Sequence, residues 1–191
     1  TVRDFSDRPV PRDNIETALE AAGTAPSGAN LHPCHVVVVG AADKKKKIRE
    51  AAEAEEQEFY ENRASPEWRA SLEPLGTDSS KPFLETAPYL IAVFLQKYGR
   101  RDDGRKVKHY YPTDSTGLAT GILITALPQA GLATLTHTPS PRNFLTESLG
   151  RPESERPFQL PVDGYPADDA HVPDIERKDL DDFTTFIEDG T

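Results

Sequence analysis

Tyr89–Leu95 is an unbroken apolar run placed directly after Pro88. A run without polar alternation reads as a central strand, covered on both faces, and the rest of the chain must supply the covering layers. Val36–Val39 is a second apolar, β-branched run, read as a short buried strand. Ala133–His137 and Phe158–Val162 are the remaining strand candidates. The latter is weak, because Pro161 lacks a ladder donor and Asp163 follows at once. From Pro11 to Ala22, apolar Ile15, Ala18, Leu19 and Ala22 recur at helical spacing, with Asp13 or Asn14 to cap the start and Gly23 to end it. Lys44–Tyr60 is a second helix with Ile48, Ala52, Glu55 and Phe59 along one side. Thr113–Gln129 is a third, and its Gly117, Ala119, Gly121 and Ala126 permit close approach by another helix, from this chain or a second copy. Pro173 onward reads as an extended arm that includes a short helix, Leu180–Ile187. Helices and strands mix without strict βαβ alternation, so the expected class is α+β, a mixed central sheet flanked by helices.

The 191 residues suit one domain, 1–191, with a substantial core. A net charge of −10 argues against non-specific nucleic-acid binding, and the basic clusters Lys44–Lys47 and Arg100–Lys108 read as solvated surface. One cysteine, Cys34, rules out an intrachain disulfide and reads as structural. No apolar run reaches membrane-spanning length, so the expectation is a soluble, cytoplasmic chain without membrane contact from this segment. There is no methionine, even at position 1. That points to a trimmed or redesigned chain, and an anchor removed from ahead of Thr1 stays compatible with it. No His/Cys/Asp grouping has metal-ligand spacing, and no Ser/His/Asp nucleophile signature or Gly-rich phosphate loop occurs.

Glu56 and Tyr60 stand four residues apart, one helical turn on one face, and Lys81 follows beyond a Pro-broken stretch. Such a trio can hold both ends of a free amino acid: the carboxylate takes the ammonium, and the lysine and phenol take the carboxylate. Read alone, such a trio is more often an exposed Glu-rich helix with an unrelated surface lysine, and only the rest of the chain reverses that reading. Between them, residues 61–82 contain Pro66, Pro74, Gly76 and Pro82, too broken for a long element; this span is the expected substrate lid. Arg3 near the start and Arg177 near the end offer permanently charged, bidentate donors suited to a phosphate. Thr134–Ser140 puts hydroxyls at alternate positions where a strand ends.

The passages TVRDF, TAPSGAN, KKKKIREAAEAEEQEFYENR, the lysine of SSKPFLETAP, KVKHYY, TLTHTP, SLGRP and VPDIERK together resemble the FMN-dependent nitroreductase superfamily, and within it the iodotyrosine deiodinases. The resemblance covers essentially the whole chain in the same order, and the Glu56, Tyr60, Lys81 set is its most specific element. It implies a nitroreductase-like homodimer with exchanged terminal arms, FMN held non-covalently, and reduction of halotyrosines such as 3-iodotyrosine and 3,5-diiodotyrosine to tyrosine and halide. The electron donor is NAD(P)H or a reductase.

Residue by residue, the resemblance matches Arg3 and Arg177 to the FMN phosphate, with Thr1 and Val2 in the same cofactor-binding stretch. Ser27 falls in a flavin-contacting loop. Thr136, His137 and Thr138 fall at the flavin-contacting strand end, with Thr138 as the hydroxyl that hydrogen-bonds flavin N5. Ala29 matches the backbone N–H that meets the substrate phenolate, and Glu56, Tyr60 and Lys81 match the zwitterion grip.

Taken singly, Thr138 reads as a strand end, Ser27 and Ala29 as turn residues, His109 as packing at a helix start and Trp68 as a lid anchor. His137 divides evenly between a flavin contact and a surface imidazole. Two other functions stay open: a general NAD(P)H-driven flavin reductase of nitro compounds and quinones, and a flavin- or amino-acid-binding protein without turnover. Departures from the pattern are Cys34 where an aromatic is usual, Pro128 in the long helix, and the polar, proline-bearing 158–163 strand.

Overall fold

In the computed structural model, residues 1–188 are described. The chain runs α1 (Arg12–Gly23), β1 (Cys34–Val39), α2 (Ala42–Glu58), α3 (Pro66–Leu72), α4 (Phe83–Thr86), β2 (Tyr89–Gln96), β3 (Tyr98–Arg100), β4 (Lys106–Lys108), α5 (Pro112–Gln129), β5 (Ala133–His137), α6 (Phe144–Ser148), β6 (Glu155–Gly164) and α7 (Leu180–Phe183). The main sheet has the order β1-β2-β6-β5, and β3 and β4 form a separate hairpin.

Strand β2 shows why its sequence is apolar at every position. Leu90, Ala92 and Phe94 belong to a core shared with Ile48 and Ala52 of α2, Leu84 of α4 and Leu145 of α6. Ile91 and Val93 point the other way, into a core with Ile15 and Ala18 of α1 and Leu123 and Leu127 of α5. Alternate residues of one strand therefore feed two helical layers, and the sheet is the filling between them. All seven residues of the run except Tyr89 are buried. The α+β expectation holds. Within the chain every described strand pair is antiparallel, so the parallel component of a mixed sheet is not among them.

The weak strand of the sequence reading proves to be an interior one. β6 spans ten residues and pairs with β2 on one side and β5 on the other. A strand residue sends its N–H and C=O to the same neighbour, so Pro161 forfeits a bond to one strand only and the ladder survives. Asp163 is fully buried, and Thr134 of β5 donates its hydroxyl to Asp163 Oδ1 at 2.8 Å, while Oδ2 has no partner. One cross-strand hydroxyl is what makes the carboxyl tolerable there.

Other local expectations need correction. α1 starts after Pro11 with no side-chain cap from Asp13 or Asn14. α2 ends at Glu58 and continues as a π-turn, Phe59–Arg63. The Pro-broken span 64–82 is not featureless: Ser65 caps α3 by accepting from the Trp68 N–H, with Pro66 at the first helical position. Pro128 lies inside α5, which runs one residue further, to Gln129.

Candidate functional site

Helix α2 organises the site. Lys45, Arg49 and Glu53 recur every fourth residue and face the segment around α4. Buried Lys45 Nζ donates to the Glu85 and Ala87 carbonyls at 2.8 and 2.7 Å, closing the C-terminal end of α4. Arg49 Nε meets Glu53 Oε1 at 2.9 Å, and its Nη1 reaches Glu85 Oε1 at 3.4 Å. Glu53 Oε1 accepts the Lys81 backbone N–H at 2.6 Å. One turn on, Glu56 and Tyr60 turn toward a cavity of about 520 Å³.

The structure brings Glu56, Tyr60 and Lys81 together. Lys81 Nζ lies 3.5 Å from Glu56 Oε2, and the two side chains are only 3% and 15% exposed. Lys81 Nζ also donates to Thr77 Oγ1 at 3.1 Å and, closer still, to the Asp78 carbonyl; the Tyr60 hydroxyl donates to the Thr77 carbonyl at 3.2 Å. Burial holds the Lys81 pKa below its ordinary value against the pull of Glu56, and burial raises that of Tyr60. Both groups are hydrogen-bond donors, and Glu56 sits beside them. This is the charge pattern that complements a zwitterion laid antiparallel to it.

The same cavity is lined by Thr1, Arg3, Thr136, His137, Thr138 and Arg177 of the sequence-predicted residues. Thr138 is exposed at its wall, immediately after β5. His137 is not a surface imidazole. It is 6% exposed and stacks edge-on to Phe83 at 5.6 Å. Burial, then the charges of Lys81 and Arg3, push its pKa down to about 3, so it is neutral, and its Nε2 has no partner. Phe59, Trp68, Leu72 and Leu75 supply an apolar wall. Trp68, half-exposed, packs edge-on against Phe59 at 5.0 Å, as expected of an anchor for this span.

Ser27, Ala29 and Val2 are not on this cavity. Val2 packs against the core below it. Ser27 and Ala29 belong to a turn held to the start of α5, where the Gly28 N–H donates to Ser115 Oγ at 3.1 Å and the Ser27 hydroxyl accepts from the His32 N–H. Ala29, Asn30 and His32 all have positive φ, at 51°, 55° and 45°. A Cβ at Gly28 would meet the Tyr110 carbonyl oxygen at 2.4 Å, so only glycine allows this approach. His109 bonds the Gln96 carbonyl at 2.9 Å, which is the packing role. Thr77 and Glu53 were missed by sequence reasoning. Thr77 acts through its loop carbonyl and its hydroxyl, and Glu53 through a main-chain N–H of residue 81, contacts that no local spacing announces.

Among the described residues no group of three or more His, Cys, Asp or Glu is placed to hold a metal ion. Among them, too, no helix is long and apolar enough to cross a membrane.

The nitroreductase family model matches residues 1–165. The chain is 55% identical over 179 residues to the iodotyrosine deiodinase of Haliscomenobacter hydrossis, covering 94% of this chain and 81% of that one. It is 44% identical over 190 residues to the iodotyrosine deiodinase of Danio rerio, spanning 98% of this chain and 64% of that longer one. Among solved structures, an oxidized iodotyrosine deiodinase bound to FMN and 3-iodo-L-tyrosine superposes with a TM-score of 0.83 at 30% identity, over 97% of this chain and 95% of that one. A BluB-like flavoprotein from Clostridium difficile 630, 21% identical, shares the fold with a TM-score of 0.72 over 98% and 94% of the two chains. The chain belongs to the nitroreductase family, in the group of the iodotyrosine deiodinases.

Proposed function

We propose that this chain is a flavin-dependent oxidoreductase that removes halide reductively from halotyrosines, with FMN as cofactor. The observation that carries the reading is the buried Glu56–Lys81 pair with Tyr60 beside it, opening on the cavity that Arg3 and Arg177 also line.

The donor set fits FMN. Arg3 and Arg177 line the cavity, and neither pairs with a carboxylate among the described residues. Two guanidiniums with no carboxylate partner among the described residues suit a phosphate. A buried neutral imidazole nitrogen without a partner suits the hydrogen-bonding edge of a flavin. Arg3, Arg177 and Thr1 would hold the phosphate, and Thr136, His137 and Thr138 the ring system, with the Thr138 hydroxyl directed to N5. When bound, FMN supplies the two electrons that, with one proton, convert an aryl halide to an aryl C–H and free halide.

The chain's own groups bind, orient and exclude water. Glu56 accepts from the substrate ammonium. Lys81 Nζ and the Tyr60 hydroxyl exchange their present bonds to residues 77 and 78 for the substrate carboxylate. The exchange is favourable because an anionic acceptor replaces a neutral hydroxyl and neutral carbonyls. Residues 61–82 act as a lid, and Trp68, Leu72 and Leu75 bring apolar surface over the ring. Proteolysis within 61–80 should slow when 3-iodotyrosine is added; equal cutting with and without it would remove the lid from this account.

The site is completed by a second copy of the chain. Ser27 and the Ala29 N–H, assigned to flavin and to substrate phenolate, lie off the cavity of their own chain. The C-terminal arm exposes Leu180, Phe183, Phe186 and Ile187, the last at 92%, which is apolar surface suited to exchange with a partner. NAD(P)H or a reductase serves as electron donor.

The test is titration of FMN-loaded protein with 3-iodotyrosine, following flavin fluorescence, with tyrosine as control and iodide release under dithionite as the second readout. Selective quenching and iodide release are expected. FMN binding without either would leave a general nitro or quinone reductase, and protein that takes up no FMN would sink both enzyme readings.

A further inference from the structure

The functional reading treats Lys81 as the far end of the lid, yet its main chain is tied elsewhere. Its N–H donates to Glu53 Oε1 at 2.6 Å, and that same oxygen receives Arg49 Nε at 2.9 Å. Arg49 continues to Glu85 of α4 at 3.4 Å, and Lys45 caps the end of α4 through two carbonyls. Three successive turns of α2 thus clamp residues 81–87, and the next turn presents Glu56. The lid stretch preceding Lys81 has different attachments: its Thr77 and Asp78 are held by Tyr60 and by the Lys81 side chain.

We infer that Glu53 is a positioning residue for substrate recognition: by holding the Lys81 N–H it keeps the lysine in the frame of α2, opposite Glu56, while residues 61–80 move. The physical reason is reach. A lysine ammonium sits at the end of a four-carbon stem, and its distance to Glu56 is set only if its Cα is set. A charge-assisted bond to the main chain fixes that Cα without occupying the ammonium. Glu53 Oε1 accepts from two donors through its two lone pairs, and against burial the Lys81 N–H and then the Arg49 guanidinium hold its pKa below the ordinary value. The lid's moving part therefore ends at residue 80, and the zwitterion grip is built on one rigid helix plus one stapled residue.

The inference rests on the halotyrosine reading, and one set of measurements separates the two. Wild type, Glu53→Ala and Glu53→Gln are loaded with FMN and assayed under dithionite with 3-iodotyrosine and with 2-iodophenol, which lacks both charged ends. For Glu53→Ala the ratio of 3-iodotyrosine to 2-iodophenol kcat/KM is expected to fall about tenfold or more, the scale of one lost charge-assisted bond. The fall should reside in KM and in the 3-iodotyrosine Kd. Glu53→Gln, which keeps an acceptor for the Lys81 N–H, is expected to recover most of the ratio. An unchanged ratio in Glu53→Ala, or equal loss on both substrates, overturns the positioning role. Should Glu53→Ala not fold, Arg49→Gln reads the same ratio through the loosened carboxylate, and no change there overturns it too. Wild type that releases iodide from neither compound overturns the functional reading itself.

Discussion

Asp163 sits at the centre of the sheet with no exposure, and burial pushes its pKa from an ordinary 3.8 up to about 7 despite the hydroxyl donated by Thr134. In the unfolded chain the carboxyl ionises near 3.8; in the folded chain it keeps its proton until about 7. Between these values the folded state binds more protons, so stability falls as pH rises through that window and is flat above it. A shift of about three units corresponds to about 4 kcal/mol. Asp163→Asn keeps an acceptor for Thr134 and cannot ionise. It should therefore match the wild type near pH 4 and exceed it by as much as about 4 kcal/mol above pH 7. Urea denaturation of both proteins from about pH 4 to about pH 8 reads the difference, in which the titration of all other groups cancels. A difference that does not change with pH, or an Asn variant less stable than wild type above pH 7, would refute the reasoning.

Glu56→Gln should weaken 3-iodotyrosine binding about 10- to 100-fold while leaving FMN uptake intact, because it removes the carboxylate paired with Lys81 Nζ; fluorescence titration reads both. Gly28→Ala should lower 3-iodotyrosine affinity without touching the cavity of its own chain, since the added Cβ meets the Tyr110 carbonyl at 2.4 Å and the turn carrying Ala29 must shift. Wild-type affinity in that variant would place Ala29 outside the site. Lys45→Met should cost about 1–3 kcal/mol in chemical denaturation, the scale of leaving two buried carbonyls at the end of α4 without their donor.

The sequence by itself determined the layers and most of the cast. A seven-residue apolar run with no alternation, set directly after a proline, reads as a strand covered on both faces, and β2 is one. Glu56 and Tyr60 share a face because the helix period requires it, whereas Arg3 and Arg177 each read singly as a surface ion-pair partner and suggested a phosphate only as a pair. Tertiary structure alone decided the rest. Phe158–Val162 looked too polar for an interior strand, and it became one because Thr134, twenty-nine residues away, donates to Asp163. His137 changed from an even choice into a buried neutral ring because it packs against Phe83 and burial, then the charges of Lys81 and Arg3, disfavour its protonation. Glu53 showed only its i,i+4 spacing to Arg49; its bond to residue 81 carried no signal, because that partner is a main-chain N–H twenty-eight residues on. Local patterns report what a residue does within its own element. Which distant donor reaches a buried carboxylate is settled only when the layers pack, and there the cost of an unpaired polar group selects the arrangement.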